Sequence, residues 1–252
     1  MKQNYKIVLQ YEGSRYDGWQ KQGNTADTIQ GKLETVLGRL AGAAVEVHGS
    51  GRTDAGVHAM GQVANFFLPD YREPEEVKAY LNRYLPADIA VLSAAAVPDR
   101  FHSRLNAVKK IYSYQIETGE KADVFVRRMQ YGLGQKLDTE AMRKAAGYLC
   151  GTHDFKSFCG NKKMKKSTVR TIYSITVHSE ENREGITVVA LGFVGSGFLQ
   201  HMVRIMTGTL IEVGLGKRSP DSMEDILAAG DRQAAGFTAP PEGLCLAGVL
   251  YE

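Results

Sequence analysis

Arg52 and Asp54 lie together in the segment GRTDAGVHA, from Gly51 to Ala59, and their types and spacing are suited to joint chemistry. Its two glycines, Gly51 and Gly56, open backbone conformations closed to other residues. Arg52 and Asp54, two apart on an extended chain, project to the same side, where a guanidinium beside a carboxylate would keep it ionised even in a dry pocket. A carboxylate held that way can act as a nucleophile. The same residues also fit an Asx turn next to a solvated arginine, and spacing alone leaves the choice open.

Other stretches carry polar groups that a fold could aim. Tyr112 and Tyr114 alternate on an expected strand and share one face, where a ring packs in a core or stacks on an extruded base. On an expected helix from Phe198 to Val213, the residues Phe198, Leu199, Met202, Val203, Met206 and Leu210 form an apolar stripe, with Gln200, His201 and Arg204 on another face. Lys162, Lys163, Lys165, Lys166 and Arg170 make a basic segment, and Arg15, Lys21 and Arg104 fall in loops. Such cations form a solvated surface or contact phosphates. Cys150, Cys159 and Cys245 contain no C-x-x-C pair and no histidine doublet accompanies them, so no metal is expected.

The elements that must position these groups are legible from periodicity and punctuation. Lys6 to Tyr11 alternates as a strand, and GSRYDGWQKQGN follows as a polar loop. Thr28 to Ala41 has helical spacing behind an Asp27 or Thr28 cap. Val45 to Ser50 and Gln62 to Phe67 read as strands joined by the nine-residue segment. A helix from Glu75 to Tyr84 begins after Pro74, and a strand runs from Ile89 to Val97. The pattern restarts near Asn106. A strand covers Ile111 to Thr118, a helix Asp138 to Cys150, and two strands Ile172 to Phe193. The Phe198 to Val213 helix, a short one from Asp221 to Ala229 and a strand from Leu246 to Leu250 follow. This order predicts an α+β fold of two lobes, residues 1–105 and 106–252, sharing a mostly antiparallel sheet with helices packed on it.

The segment GRTDAGVHA closely resembles the nucleophile loop of the transfer-RNA pseudouridine synthases of the TruA family. YEGSRYDGWQ, from Tyr11 to Gln20, resembles that family's N-terminal signature. The likeness continues through GQVANF, LPADIAV, FHSR at Phe101 to Arg104, KIYSY at Lys110 to Tyr114, HMVR at His201 to Arg204 and APPEGLCL at Ala239 to Leu246. Glu12, where Asp is more usual, and Cys245, where an aromatic is common, depart from it. The resemblance implies the pseudouridine synthase fold, two ferredoxin-like or RRM-like lobes with an active-site cleft between them. The N-terminal lobe would carry the nucleophile loop and the C-terminal lobe would complete the site.

The implied reaction is isomerisation of uridine to pseudouridine in the anticodon stem-loop of tRNA, at positions 38, 39 and 40, by a homodimer without cofactor or metal. By the same resemblance Asp54 is the nucleophile, Arg52 and Arg204 keep it charged and aimed, and Tyr112 contacts the target uracil. Arg104, His58 and His102 are expected at the RNA.

Composition fits that reading without proving it. The 252 residues are 43% hydrophobic and 23% charged, with a net charge of +3, ordinary values for a water-soluble fold. Neither an apolar run of membrane length nor a secretory leader stands at the start, so a cytoplasmic location is expected. Two other classes compete: an RNA-binding module in which the Asp54 loop is only structural, and a carboxylate-dependent glycoside or nucleoside hydrolase. The hydrolase requires a second carboxylate as acid, and the sequence offers no motif for one.

Overall fold

A computed structural model describes residues 2–161, 163–183 and 185–252. By internal packing the chain divides into a first unit, up to Val108 together with Cys245–Glu252, and a second unit, Lys109–Leu244. The sequence reading places the boundary at residue 105. The return of the last eight residues to the first unit was not anticipated.

The first unit runs β1 (Gln3–Tyr11), α1 (Ile29–Ala41), β2 (Val47–Gly49), β3 (His58–Leu68), α2 (Pro74–Tyr84) and β4 (Ile89–Val97). This is the β-α-β-β-α-β order of ferredoxin-like folds. β1 pairs antiparallel with both β3 and β4, and β2 pairs antiparallel with β3. Helix α1 forms where its apolar spacing predicts: Ile29, Leu33, Val36 and Leu37 are buried, Thr28 caps the start by accepting from Gly31 N, and Gly42 ends it in the left-handed conformation. In α2 the proline at the first position and Glu75 and Glu76 in the first turn match the helix dipole, and Val77 and Leu81 are buried.

The second unit takes up β5 (Ala107–Glu117) from Lys109 onward and continues with the two-residue β6 (Tyr131–Gly132), α3 (Thr139–Tyr148), β7 (Gly151–Asp154), β8 (Val169–Glu181), β9 (Thr187–Gly195), α4 (Met202–Gly214) and α5 (Ser222–Ala229). Its sheet order is β5-β9-β8-β7, with each of these pairs antiparallel and the short β6 pairing with β5 in parallel. Tyr112, Phe193 and Ile175 are opposite one another and share a face, as do Tyr114, Leu191 and Val177. The final strand, β10 (Leu244–Tyr251), pairs in parallel with β3 through Cys245 with His58 and Leu246 with Ala59. The sheets are thus mostly antiparallel, as expected. No helix among the described residues is long and apolar enough to cross a membrane.

Several element boundaries differ from the periodicity, β5 starting at Ala107 rather than Ile111 and β8 at Val169 rather than Ile172 among them, and two of the differences have a plain cause. β3 starts at His58, four residues ahead of the expected strand, because β10 pairs with its first residues. Helix α4 starts at Met202 rather than Phe198, because His201 has φ 58°, a left-handed conformation that the helix cannot run through. The apolar Phe198 and Leu199 mimicked a helical stripe while lying in the preceding loop.

Candidate active site

In the first unit, the segment bearing Asp54 rests on the loop that follows β1. Trp19 N donates to Thr53 O at 3.1 Å, Gly56 N to Tyr16 O at 3.2 Å, and Val57 N to Asp54 O at 3.2 Å. The same loop sets the N-terminus of α1, through Ile29 N to Gly18 O and Gln30 N to Trp19 O. Gly18, at φ 91°, allows this close approach: a Cβ there would stand 2.7 Å from Thr53 O. The two motifs singled out in the sequence, YEGSRYDGWQ and GRTDAGVHA, are therefore one physical object.

Beneath it lies a chain of buried polar groups. The Tyr11 hydroxyl is 2.9 Å from Thr53 Oγ1, and Gln62 Nε2 donates to Gly51 O at 3.1 Å and more weakly to Tyr11 at 3.4 Å. Ser50 Oγ donates to Gln62 Oε1 at 2.6 Å. Burial pushes the Tyr11 phenol well above its usual range, so it stays a neutral hydroxyl. These contacts fix both ends of the segment while Asp54 remains half-buried rather than sealed. Tyr11, Gln62 and Trp19 had no sequence signal as parts of a site beyond their place inside the quoted motifs, since the Tyr11 and Trp19 partners are distant in sequence and the Gln62 contacts depend on the turn between Ser50 and Gln62.

The remaining expected residues of this unit occupy different settings. Arg52 is exposed, and no ion pair with Asp54 or another described residue holds it. His58 is 1% exposed; its Nδ1 accepts from Gly13 N at 2.9 Å and lies 3.5 Å from Glu12 Oε1. A ring so buried braces the loop and is poorly placed for surface contact with RNA. His102 stacks on His48 with centroids 5.0 Å apart, and its Nδ1 accepts from Arg104 N. Burial, then the neighbouring His48, lowers its pKa, favouring the neutral ring. Arg104 is exposed. Arg15 and Lys21 are taken up by ion pairs with Asp88 at 2.9 Å and Glu34 at 3.0 Å.

In the second unit, Tyr112 is 8% exposed and meets Phe198 edge to face, with centroids 5.2 Å apart. Tyr114 is fully buried and donates to Pro240 O at 2.7 Å, the core role its strand position allows. Arg204 Nε donates to Ala239 O at 2.7 Å, and Ala239 N returns a bond to Arg204 O at 3.0 Å. Because Nε is spent on this loop, the plane and direction of the guanidinium are set. The loop is stitched to the rest of α4 through Gly236 N to Thr209 Oγ1 and Phe237 N to Glu212 Oε1. Lys163, Lys165 and Lys166 are exposed, whereas Lys162 lies outside the described residues. Among the described residues no three His, Cys, Asp or Glu side chains gather as metal ligands.

Comparison with known proteins gives this geometry a context. The family profile described as tRNA pseudouridine synthase matches residues 7–106 and 145–252. The chain is 49% identical over 248 residues, 98% of its length and 99% of the relative's, to a tRNA pseudouridine synthase A of Bacillus sp. (strain KSM-64). It is 44% identical over the same span to a tRNA pseudouridine synthase A of Clostridium kluyveri, and 43% to a tRNA pseudouridine synthase A 2 of Bacillus cereus (strain ZK / E33L). With a profile match across both units and such identity end to end, the chain belongs to the tRNA pseudouridine synthase family.

Proposed function

We propose that this protein isomerises uridine to pseudouridine in the anticodon stem-loop of tRNA, at positions 38 to 40, with Asp54 as nucleophile. The observation that carries the proposal is the fixed backbone of the Asp54 segment, tied at Thr53, Asp54 and Gly56 while the carboxylate stays half-buried. A nucleophile needs that combination of held direction and access.

In the reaction the bond from ribose C1′ to uracil N1 breaks, C1′ joins C5, and the C5 proton leaves as N1 regains one, so no co-reactant is required. The carboxylate attacks C1′ or adds to C6; both routes use it ionised. Tyr112 is assigned to the uracil ring and Arg204 to the charge of the carboxylate. Arg52, exposed and without an ion pair to a described residue, is better suited to an RNA phosphate than to the buttressing first expected of it. The homodimer and the cytoplasmic location belong to the same proposal and rest on the family resemblance.

Treating unmodified tRNA with the protein, labelling pseudouridine with a carbodiimide and mapping reverse-transcription stops tests this reading. Stops confined to positions 38 to 40 support it. Release of free uracil would indicate a hydrolase instead, and tight binding without any stop would indicate a non-catalytic RNA-binding module.

A further inference from the structure

We propose that the face of the second unit's sheet around Tyr173 is a second RNA contact, on which an unpaired base stacks; this rests on the RNA-modifying reading above. Strand β8 carries a bulge at Tyr173: Ile172 pairs with Gly195 and Ser174 with Val194, leaving Tyr173 as the extra residue. Ile172 is buried at 1% exposure, while Tyr173 is turned outward at 47%. Lys109 Nζ lies 4.9 Å from the centre of the Tyr173 ring. Two residues earlier on the same strand, hydroxyls suited to phosphate or ribose gather: Thr152 and Thr171 face each other at 2.8 Å, and Ser196 Oγ accepts from Thr171 N.

Charge selects the occupant. Lys163, Lys165 and Lys166 precede β8 and Arg170 lies within it, with no acidic residue from 163 to 178. None of these cations, nor Lys109, forms an ion pair with a described residue. The acid at this edge, Asp154, already accepts from Thr168 Oγ1 and Lys156 N. An exposed aromatic among unpaired cations and hydroxyls on an open sheet matches single-stranded RNA, whose bases stack while its phosphates meet lysines.

The test uses the full-length protein and a fluorescent anticodon stem-loop, with binding followed by anisotropy across a salt series. Tyr173→Ala is expected to weaken binding about tenfold, one base–aromatic stack, without changing the salt dependence. Tyr173→Phe is expected to restore it, and C5-tritium release from saturating tRNA should stay at the wild-type rate. A triple alanine variant of Lys163, Lys165 and Lys166 should instead flatten the salt dependence. Unchanged affinity in Tyr173→Ala, with wild-type circular dichroism, overturns the proposal. So does a loss traced by light scattering to a changed oligomeric mass, which would make this face a protein interface. Loss of binding in Tyr173→Ala when even wild type releases no tritium would uphold this contact while refuting the catalytic reading.

Discussion

The Tyr11 hydroxyl stands 2.9 Å from Thr53 Oγ1, one residue before the proposed nucleophile, and both side chains are buried. Removing that hydroxyl leaves Thr53 and Gln62 each short of a partner in a place water does not reach. Tyr11→Phe should therefore lower unfolding stability by about 1–2 kcal/mol. If the bond also aims Asp54, single-turnover rates should fall about tenfold while RNA affinity holds. Denaturant unfolding and rapid-quench kinetics measure the two effects; an unaltered rate would show that the bond serves folding alone.

Glycine substitutions separate strain from site geometry. At Gly18 a Cβ would meet Thr53 O at 2.7 Å and sit on a backbone at φ 91°. Gly42 also has positive φ, 67°, but open space around it. Gly18→Ala is expected to cost about 3 kcal/mol and abolish turnover, because the Asp54 segment must shift to make room. Gly42→Ala should cost about 1 kcal/mol and leave turnover intact. Equal turnover in the two variants would contradict the proposed coupling of the first loop to Asp54.

Arg204→Lys keeps the charge but cannot both donate to Ala239 O and present a planar fork. Turnover should fall about a hundredfold with binding of tRNA changed by less than about threefold. A fully active lysine variant would reduce the role of Arg204 to its charge.

Much of the scaffold was legible because local rules decide it. The Thr28 cap, Pro74 at the start of α2 and the alternation of β1 each formed as read, while Asp138, expected as the first helical residue, instead caps α3. What was not legible depends on partners distant in sequence: the extension of β3 to His58, imposed by Cys245 some 190 residues later, and the Tyr11, Gln62 and Ser50 chain under the loop. The left-handed His201 belongs to the same class. Gly160, whose missing Cβ would lie 2.5 Å from His201 Nδ1, leaves room for the His201 ring, and nothing in the local pattern reports that. The resemblance points to Asp54 as the nucleophile to be tested, but neither resemblance nor spacing showed that His58 would be sealed under Gly13.

Histidine 102 gives a pH dependence with a definite sign. Burial and His48 depress its folded-state pKa below the unfolded value of about 6.5. The unfolded chain then binds the proton more readily, so this residue leaves stability untouched above about pH 6.5 and lowers it as pH falls through that value toward the folded-state one. Because the ring is only partly buried, the loss should be below about 1 kcal/mol. Urea midpoints at pH 7 and pH 5 check this: His102→Asn should show a smaller drop than wild type, and an equal drop would place the effect elsewhere.

The central claim is that Asp54 forms the covalent bond. Incubating the protein with tRNA tritiated at uracil C5 and counting released tritium tests it most directly. Wild type should release label from its target uridines, while Asp54→Ala and Asp54→Asn should both fall by about 10⁴-fold or more with tRNA still bound. Release by either variant at a rate near that of wild type would contradict the assignment.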